Sequence, residues 1–115
     1  MSESTEATIK AFNEAFGRHD VEAVMALMTD DCIFENTLPT PDGEKHVGQV
    51  AVRAFWNQFF RDSPRAAFET EEMVVAGDRA VVRWRFDWGD GHIRGIDLFK
   101  VRDGKVAEKL SYVKG

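Results

Sequence analysis

The spacing of apolar residues changes near the middle of the chain. In three segments before residue 62, hydrophobic side chains recur every three or four positions, which is the period of a helix buried on one face. From residue 67 onward they alternate with polar side chains, as in half-buried strands. Helices first and strands afterwards predict an α+β fold in one domain, residues 1–115.

Three helices are predicted in the first half. The first extends from Ser4 to Phe16, with Gly17 in the position of a helix C-cap. Asp20 is a suitable N-cap for the second, whose apolar stripe is predicted to consist of Val21, Val24, Leu27 and Met28. The third ends at Ser63-Pro64, and its predicted buried face comprises Val52, Phe55, Trp56, Phe59 and Phe60.

The remaining segments predict strands and turns. Residues 32–36 form a first strand, a turn-rich loop covers 38–43, and residues 46–47 are extended. After the third helix, an antiparallel meander is predicted from strands over 68–76, 80–88, 93–101 and 106–113.

The turn after the strand 80–88 determines which face Asp97 occupies. Asp90-Gly91 is a preferred pair for a two-residue type I′ turn, and this register sets Asp97 opposite Trp84. Trp84 belongs to the apolar side of its strand, so the carboxyl of Asp97 is expected among hydrophobic side chains. A carboxylate in such a place either finds a partner or takes up a proton.

Two residues of the last strand are expected beside Asp97. A three-residue loop over 102–104 sets Lys109 opposite Asp97, with Ser111 one diagonal step away on the same face. One interpretation is an ion pair that only fixes strand register, and the other is acid/base catalysis by Asp97. The two are compatible, because a paired carboxylate can act as a base. Lys109 is less favoured as a nucleophile, since the neighbouring carboxylate keeps it protonated.

Composition narrows the classes of function. The formal net charge is −5 and no basic stripe exists, which argues against binding to nucleic acid or to acidic membranes. No apolar run approaches the roughly 18 residues of a membrane span, and the polar first residues do not resemble a secretory signal, so a cytoplasmic location is expected. The single cysteine, Cys32, and the absence of zinc-like spacings predict no internal disulfide, no metal and no other cofactor.

Aromatic residues are more numerous than a minimal core requires. Nine Phe and three Trp predict a cavity lined in part by rings. Asn36 is expected on the same strand face as Phe34, where its amide binds a water, a carbonyl group or the nearby loop backbone. The residues predicted to contact a small hydrophobic ligand are Asn36, Phe34, Phe12, Trp84, Phe86, Trp88, Phe55, Phe59, Phe99, Lys109 and Ser111.

The opposite face of the sheet is predicted to be an interface between two copies of the chain. Its apolar residues are Ile96, Leu98, Leu110 and Tyr112, and the cations among them are Arg83, Arg85, Arg94 and Lys100. An apolar patch of this kind is a liability when exposed, whereas aromatic and arginine side chains are typical of protein interfaces. We therefore expect a homodimer packed through its sheets.

Several segments carry a family resemblance. They are Ala11–Asn13 with Arg18–Asp20, Leu27–Glu35, Val52–Phe55 and Gly95–Val106. Together with the order of the elements, they resemble the NTF2-like superfamily in its SnoaL-like, polyketide cyclase-like branch. The resemblance implies an NTF2-like cone, in which N-terminal helices pack into a curved antiparallel β-sheet, a cystatin-like α+β barrel, around an apolar cavity. It also implies dimers packed through the sheet.

The resemblance implies different reactions for different relatives. Asp97 falls where ketosteroid isomerases carry an oxyanion-hole aspartic acid, but Phe12 and Asn36 stand in place of their tyrosine and their proton-shuttling aspartate. Limonene-epoxide-hydrolase-like enzymes match only at Asn36. The residues that replace the other groups of that site are Phe34, Trp84, Phe86 and Ser111.

Polyketide cyclases need a single acidic residue, and Asp97 is available for that role. We therefore expect a cofactor-free acid/base enzyme of the cyclase, isomerase or hydratase type, acting on a small hydrophobic carbonyl or polyketide-like compound. A non-catalytic domain that binds a hydrophobic ligand is the alternative, favoured by the missing tyrosine and second carboxylate.

Overall fold

Three helices and six strands follow one another along residues 2–115, which the computed structural model describes; residue 1 of the predicted domain lies outside the described residues. The α+β class is confirmed. The elements are α1 (Ser2–Gly17), α2 (Val21–Ala26), β1 (Met28–Glu35), β2 (Lys45–Val47), α3 (Gln49–Asp62), β3 (Ala67–Ala76), β4 (Arg79–Asp87), β5 (His92–Arg102) and β6 (Lys105–Val113).

The six strands form one open sheet in the order β2-β1-β6-β5-β4-β3. The meander from β3 to β6 is antiparallel, as predicted. However, β1 lies parallel to β6, so the curved sheet of the predicted α+β cone is antiparallel at every strand pair except this one, and its edge strands are β2 and β3. A parallel pair needs a long connection, which β2, α3 and the meander supply here.

The β4–β5 hairpin differs from the predicted register by two residues. A four-residue loop joins the strands, and within it the Trp88 N–H donates to the Gly91 carbonyl at 3.1 Å. Trp84 therefore lies opposite Gly95, and Asp97 lies opposite Val82. Because side chains alternate with a period of two, a shift of two residues leaves Asp97 on the predicted face.

The β5–β6 hairpin is also shifted by two. Its turn is the two-residue pair Asp103-Gly104, with φ of 54° and 75°, rather than the predicted three-residue loop. Both positive φ values match a type I′ turn. With a bulge after Lys100, Ser111 lies directly opposite Asp97, while Lys109 lies opposite Phe99.

The second helix is shorter than predicted. Its N-cap is confirmed, since the Ala23 N–H donates to Asp20 Oδ1 at 3.1 Å. Leu27 is the C-cap and Met28 begins β1, so neither belongs to the helical stripe. Met28 instead pairs with Val106 of β6, and this strand pairing overrides the helical spacing of the apolar residues.

The core lies between the helices and the inner face of the sheet. Phe12 is fully buried, and its ring lies 5.6 Å from Phe99, 6.0 Å from Trp56 and 6.1 Å from Phe16, measured between centroids. These contacts join α1 to α3 and to β5. No helix among residues 2–115 is long and apolar enough to cross a membrane.

Two exposed ion pairs and one buried thiol have displaced pKa values. A hydrogen bond from Arg102 lowers the pKa of Asp31, and one from Arg94 lowers the pKa of Glu71. Each pair stabilises the fold above the unfolded-state pKa of its carboxyl, and the effect is lost as the pH falls through the folded-state pKa. Burial raises the pKa of the Cys32 thiol.

Replacing Phe12 with alanine tests the packing of the helices on the sheet. Phe12→Ala leaves a cavity at a fully buried position, so we expect the free energy of unfolding to fall by about 3–5 kcal/mol. Urea denaturation followed by circular dichroism measures the change. Val50→Ala, at a position 80% exposed, is the control and should alter the free energy of unfolding by less than about 0.5 kcal/mol. A similar, small loss for both variants would contradict this packing.

Candidate functional site

A cavity of about 400 Å³ lies between the helices and the inner face of the sheet. Eight of its 19 lining residues are aromatic, among them Phe16, Phe55, Trp56, Phe59, Trp84 and Phe86. Its most exposed lining residues, Leu38, Glu69 and Thr70, mark the mouth. The volume suits a small organic molecule rather than a water or an ion.

Gly95 positions the Trp84 indole in this wall. The two residues face each other across β4 and β5, and a Cβ at residue 95 would lie 2.6 Å from Trp84 Cζ2. The indole therefore lies over the backbone of β5, in space that only a glycine leaves free. The missing side chain at position 95 is what allows a tryptophan at position 84 to lie along the sheet.

Asp97 belongs to a buried polar cluster at the cavity wall. Its Oδ1 accepts a hydrogen bond from Ser111 Oγ at 2.6 Å, and its Oδ2 forms an ion pair with Lys109 Nζ at 3.2 Å. Lys109 Nζ also donates to Ser111 Oγ at 3.3 Å. All three side chains line the cavity, and each residue is less than one-tenth exposed. The carboxylate thus has a partner on both oxygens.

Aromatic rings surround the Lys109 ammonium. Nζ lies 5.0 Å from the ring centroid of Phe34, 5.2 Å from that of Phe16 and 5.9 Å from that of Trp56. Phe34 is next to Lys109 because β1 runs parallel to β6 and sets the two residues in register. Rings within about 6 Å attract a cation through their negative faces, so they replace part of its lost hydration.

Comparison with known proteins identifies the family. The model of the SnoaL-like domain matches residues 9–109. The chain belongs to the SnoaL-like domain family. Its resemblance to this branch is therefore confirmed, together with the NTF2-like cone that the resemblance implied.

Solved structures show the same fold. An NTF2-like protein of unknown function from Mesorhizobium loti is 42% identical, with a TM-score of 0.88 over 99% of this chain and 93% of that one. A proposed ketosteroid isomerase from Kribbella flavida is 19% identical, with a TM-score of 0.85 over 99% and 80%. A proposed polyketide cyclase from Sinorhizobium meliloti is 21% identical, with a TM-score of 0.80 over 91% and 93%. Among functionally curated proteins, none matches this chain.

Most residues predicted to contact a ligand do line the cavity of this SnoaL-like domain. They are Phe34, Asn36, Phe55, Phe59, Trp84, Phe86, Lys109 and Ser111, and Asp97, predicted as the acid/base residue, lines it as well. Asn36 uses its side-chain oxygen locally, accepting from the Thr37 N–H at 2.9 Å, which was the loop-backbone alternative.

Three of the predicted contacts are not part of the lining. Phe12 and Phe99 are fully buried behind it, because their rings pack against each other in the core. Trp88 lies beyond the end of β4, in the loop of the β4–β5 hairpin, and is 40% exposed. The longer loop therefore places Trp88 beyond the strand pairing, where its ring packs against Phe86 and does not line the cavity.

Several lining residues were missed from the sequence. The sequence places Phe16 at the end of the first helix, Trp56 on the buried face of the third and residue 68 at the start of a strand, without predicting a cavity role for them; all three line the cavity. Asn13 enters the sequence analysis only within a family motif. The available signal was its spacing, since Asn13 stands four residues after buried Ile9 and is a polar residue on an apolar helix face.

Two buried N–H donors at this cavity have no hydrogen-bond partner. They are Nε1 of Trp84 and Nδ2 of Asn13.

The described part of the chain does not group the side chains that usually bind a metal ion. Among residues 2–115, no group of three or more His, Cys, Asp or Glu side chains is placed to hold a metal ion.

Removing one partner of the buried ion pair tests the cluster. Lys109→Met leaves the Asp97 carboxylate buried without its counterion, so we expect the free energy of unfolding to fall by about 3–5 kcal/mol. The double variant Lys109→Met/Asp97→Leu removes both charges and should recover most of that loss. Urea denaturation of the single and double variants measures the coupling. Equal losses that simply add in the double variant would mean that the two charges do not interact.

Proposed function

We propose that this SnoaL-like domain binds a small, mostly apolar carbonyl compound and that Asp97 is its acid/base residue. One observation carries the proposal: a buried carboxylate, fixed on both oxygens by Ser111 and Lys109, lies in the wall of a largely apolar cavity. Burying such a pair is costly unless its geometry is well satisfied. Because Asp97 lines the cavity, a ligand bound there would lie within reach of its carboxylate.

The proposed reaction is proton transfer beside a carbonyl group. Asp97, as a carboxylate, takes a proton from the carbon next to the carbonyl, and the C–H electron pair moves into an enolate. The protonated Asp97 then returns the proton at the same or another position. Alternatively, the enolate carbon attacks a second carbonyl within the same molecule, and Asp97 gives its proton to the alkoxide that forms there. Lys109 and Ser111 act as positioning residues, since they hold the carboxylate in one orientation.

The similar proteins support this class of chemistry without specifying a substrate. Their printed descriptions include a ketosteroid isomerase and a polyketide cyclase, and identities of 19% and 21% carry over the fold alone. Both kinds of reaction pass through an enol or enolate, so a single positioned acid/base group is a shared requirement. Asp97 meets that requirement by its burial and its contact with the cavity.

A non-catalytic binding domain is the second candidate. The observation in its favour is that both oxygens of Asp97 already have partners, Oδ1 with Ser111 and Oδ2 with Lys109. In this case the cluster stabilises the sheet, and the aromatic cavity alone accounts for the affinity for a ligand.

Exchange of α-protons for deuterium separates the two candidates. The probe is 1-tetralone in D2O, whose α-protons are followed by ¹H NMR. We expect the protein to accelerate their loss over buffer, and Asp97→Asn to reduce the acceleration by about 100-fold or more, because an amide cannot accept the proton. Asp90→Asn, in an exposed loop, is the matched control and should exchange like the wild type.

If the protein binds 1-tetralone but its α-protons exchange no faster than in buffer, the catalytic proposal is contradicted and the non-catalytic binding domain is favoured. Acceleration that persists in Asp97→Asn would remove Asp97 from the role of base. Circular dichroism of the variant checks that the fold is kept, since Lys109 loses its charged partner.

We also propose that two copies of the domain pack through the outer face of their sheets. Two cross-strand pairs, Ile96 with Tyr112 and Leu98 with Leu110, lie side by side there, and Tyr112 is 52% exposed. An exposed apolar patch on a sheet favours association with a complementary surface. The face opposite the cavity would be covered in such a dimer, leaving the mouth free.

Light scattering after size-exclusion chromatography tests the dimer. We expect the wild type to have twice the mass of one chain and Tyr112→Asp to have the mass of one chain, because a buried unpaired charge opposes the contact. Val50→Asp, on the exposed surface of α3, should leave the mass unchanged. A wild-type protein with the mass of one chain at high protein concentration would contradict the proposal.

A further inference from the structure

We propose that Trp84 and Asn13 determine which ligand the cavity accepts, by donating hydrogen bonds to oxygen atoms of a neutral molecule. The inference rests on the proposed function only in placing a ligand in this cavity. It concerns two groups that the proton-transfer step does not use, Trp84 Nε1 and Asn13 Nδ2.

The Trp84 indole has a buried N–H group without an acceptor. The residue is 9% exposed, and Nε1 has no hydrogen-bond partner. Leaving a buried donor unsatisfied costs free energy, and a phenylalanine at this place would be apolar and would not carry that cost. Gly95 opposite Trp84 makes room for the larger ring, so the strand pair is built around the indole. An acceptor supplied by a ligand would satisfy the N–H group.

Asn13 of α1 also presents a buried N–H donor without a partner. It lies on the inward side of α1, three residues before Phe16, and both residues line the cavity. Its Nδ2 is buried and unpartnered, although leucine would continue the apolar stripe at this position. Two unpartnered donors, one on the sheet and one on the helix, thus border the same space.

The acceptors already present in the cavity wall do not serve these donors. The carboxylate of Asp97 is engaged by Ser111 and Lys109, and the side-chain oxygen of Asn36 accepts from the Thr37 backbone. The two buried N–H groups therefore lack an acceptor within the protein, and their complement is a molecule that brings acceptor oxygens.

Charge favours a neutral molecule over an anion. Asp97 and Lys109 compensate each other within the wall, at 3.2 Å. The additional charge among the lining residues is the exposed carboxylate of Glu69 at the mouth, which repels anions. Ketone, aldehyde, ether or lactone oxygens meet these conditions, whereas a carboxylate ligand would enter against the charge of Glu69.

A ketone and its parent hydrocarbon test the inference directly. The probes are 1-tetralone and tetralin, which have the same ring system and differ in one oxygen. Their dissociation constants are measured by ¹H–¹⁵N NMR titration of the wild type, Trp84→Phe and Asn13→Leu. Trp88→Phe and Asn57→Leu are the matched controls, since both residues lie outside the cavity lining and are exposed.

We expect the wild type to prefer 1-tetralone over tetralin by about tenfold or more, and each variant to lose about threefold to tenfold of that preference. The controls keep the full preference. The indole N–H signal of Trp84, assigned by its loss in Trp84→Phe, should shift with the ketone and far less with the hydrocarbon.

Equal affinity for the two probes, no binding of 1-tetralone, or a preference unchanged in both Trp84→Phe and Asn13→Leu would overturn the inference. These results are distinguishable from failure of the proposed function. If the ketone preference depends on Trp84 while no α-proton exchange occurs, ligand recognition by Trp84 and Asn13 is supported and catalysis by Asp97 is contradicted.

Discussion

The buried ion pair between Asp97 and Lys109 is the constraint on which the rest of the site depends. Two charges on the inner face of a sheet are tolerated only with close geometry and further partners. Ser111 donates a hydrogen bond to Asp97 and accepts one from Lys109, and rings of α1, β1 and α3 surround the ammonium. The parallel pairing of β1 with β6 brings Phe34 to Lys109, so the topology of the sheet and the chemistry of the site are linked.

The sequence predicted the elements well, and the face of Asp97 correctly, because both rest on local periodicity. The two hairpin registers were each wrong by two residues, yet a shift of two preserves the face on which a side chain lies. This is why Asp97, Lys109 and Ser111 still meet. The observed register also sets Gly95 opposite Trp84, and only in this register does Gly95 leave space for the Trp84 indole.

What the sequence did not predict depends on contacts between distant segments. The parallel β1–β6 pair has no local pattern, and it also took Met28 out of the second helix. The cavity depends on how α1 and α3 lie on the sheet, which decides that Phe16 lines it and Phe12 does not. A structure was needed to recognise that Trp84 and Asn13 present donors without acceptors.

The cavity thus combines a largely apolar wall, the ion-paired carboxylate of Asp97 and two N–H donors, those of Trp84 and Asn13, that lack an acceptor. If the buried cluster serves a ligand, a crystal of the protein soaked with 1-tetralone should show where that ligand binds. We predict the ketone inside the cavity, with its α-carbon about 3–3.5 Å from a carboxylate oxygen of Asp97 and its oxygen bonded to Trp84 Nε1. A ketone bound only outside the cavity would contradict a role of the Asp97 cluster in ligand binding.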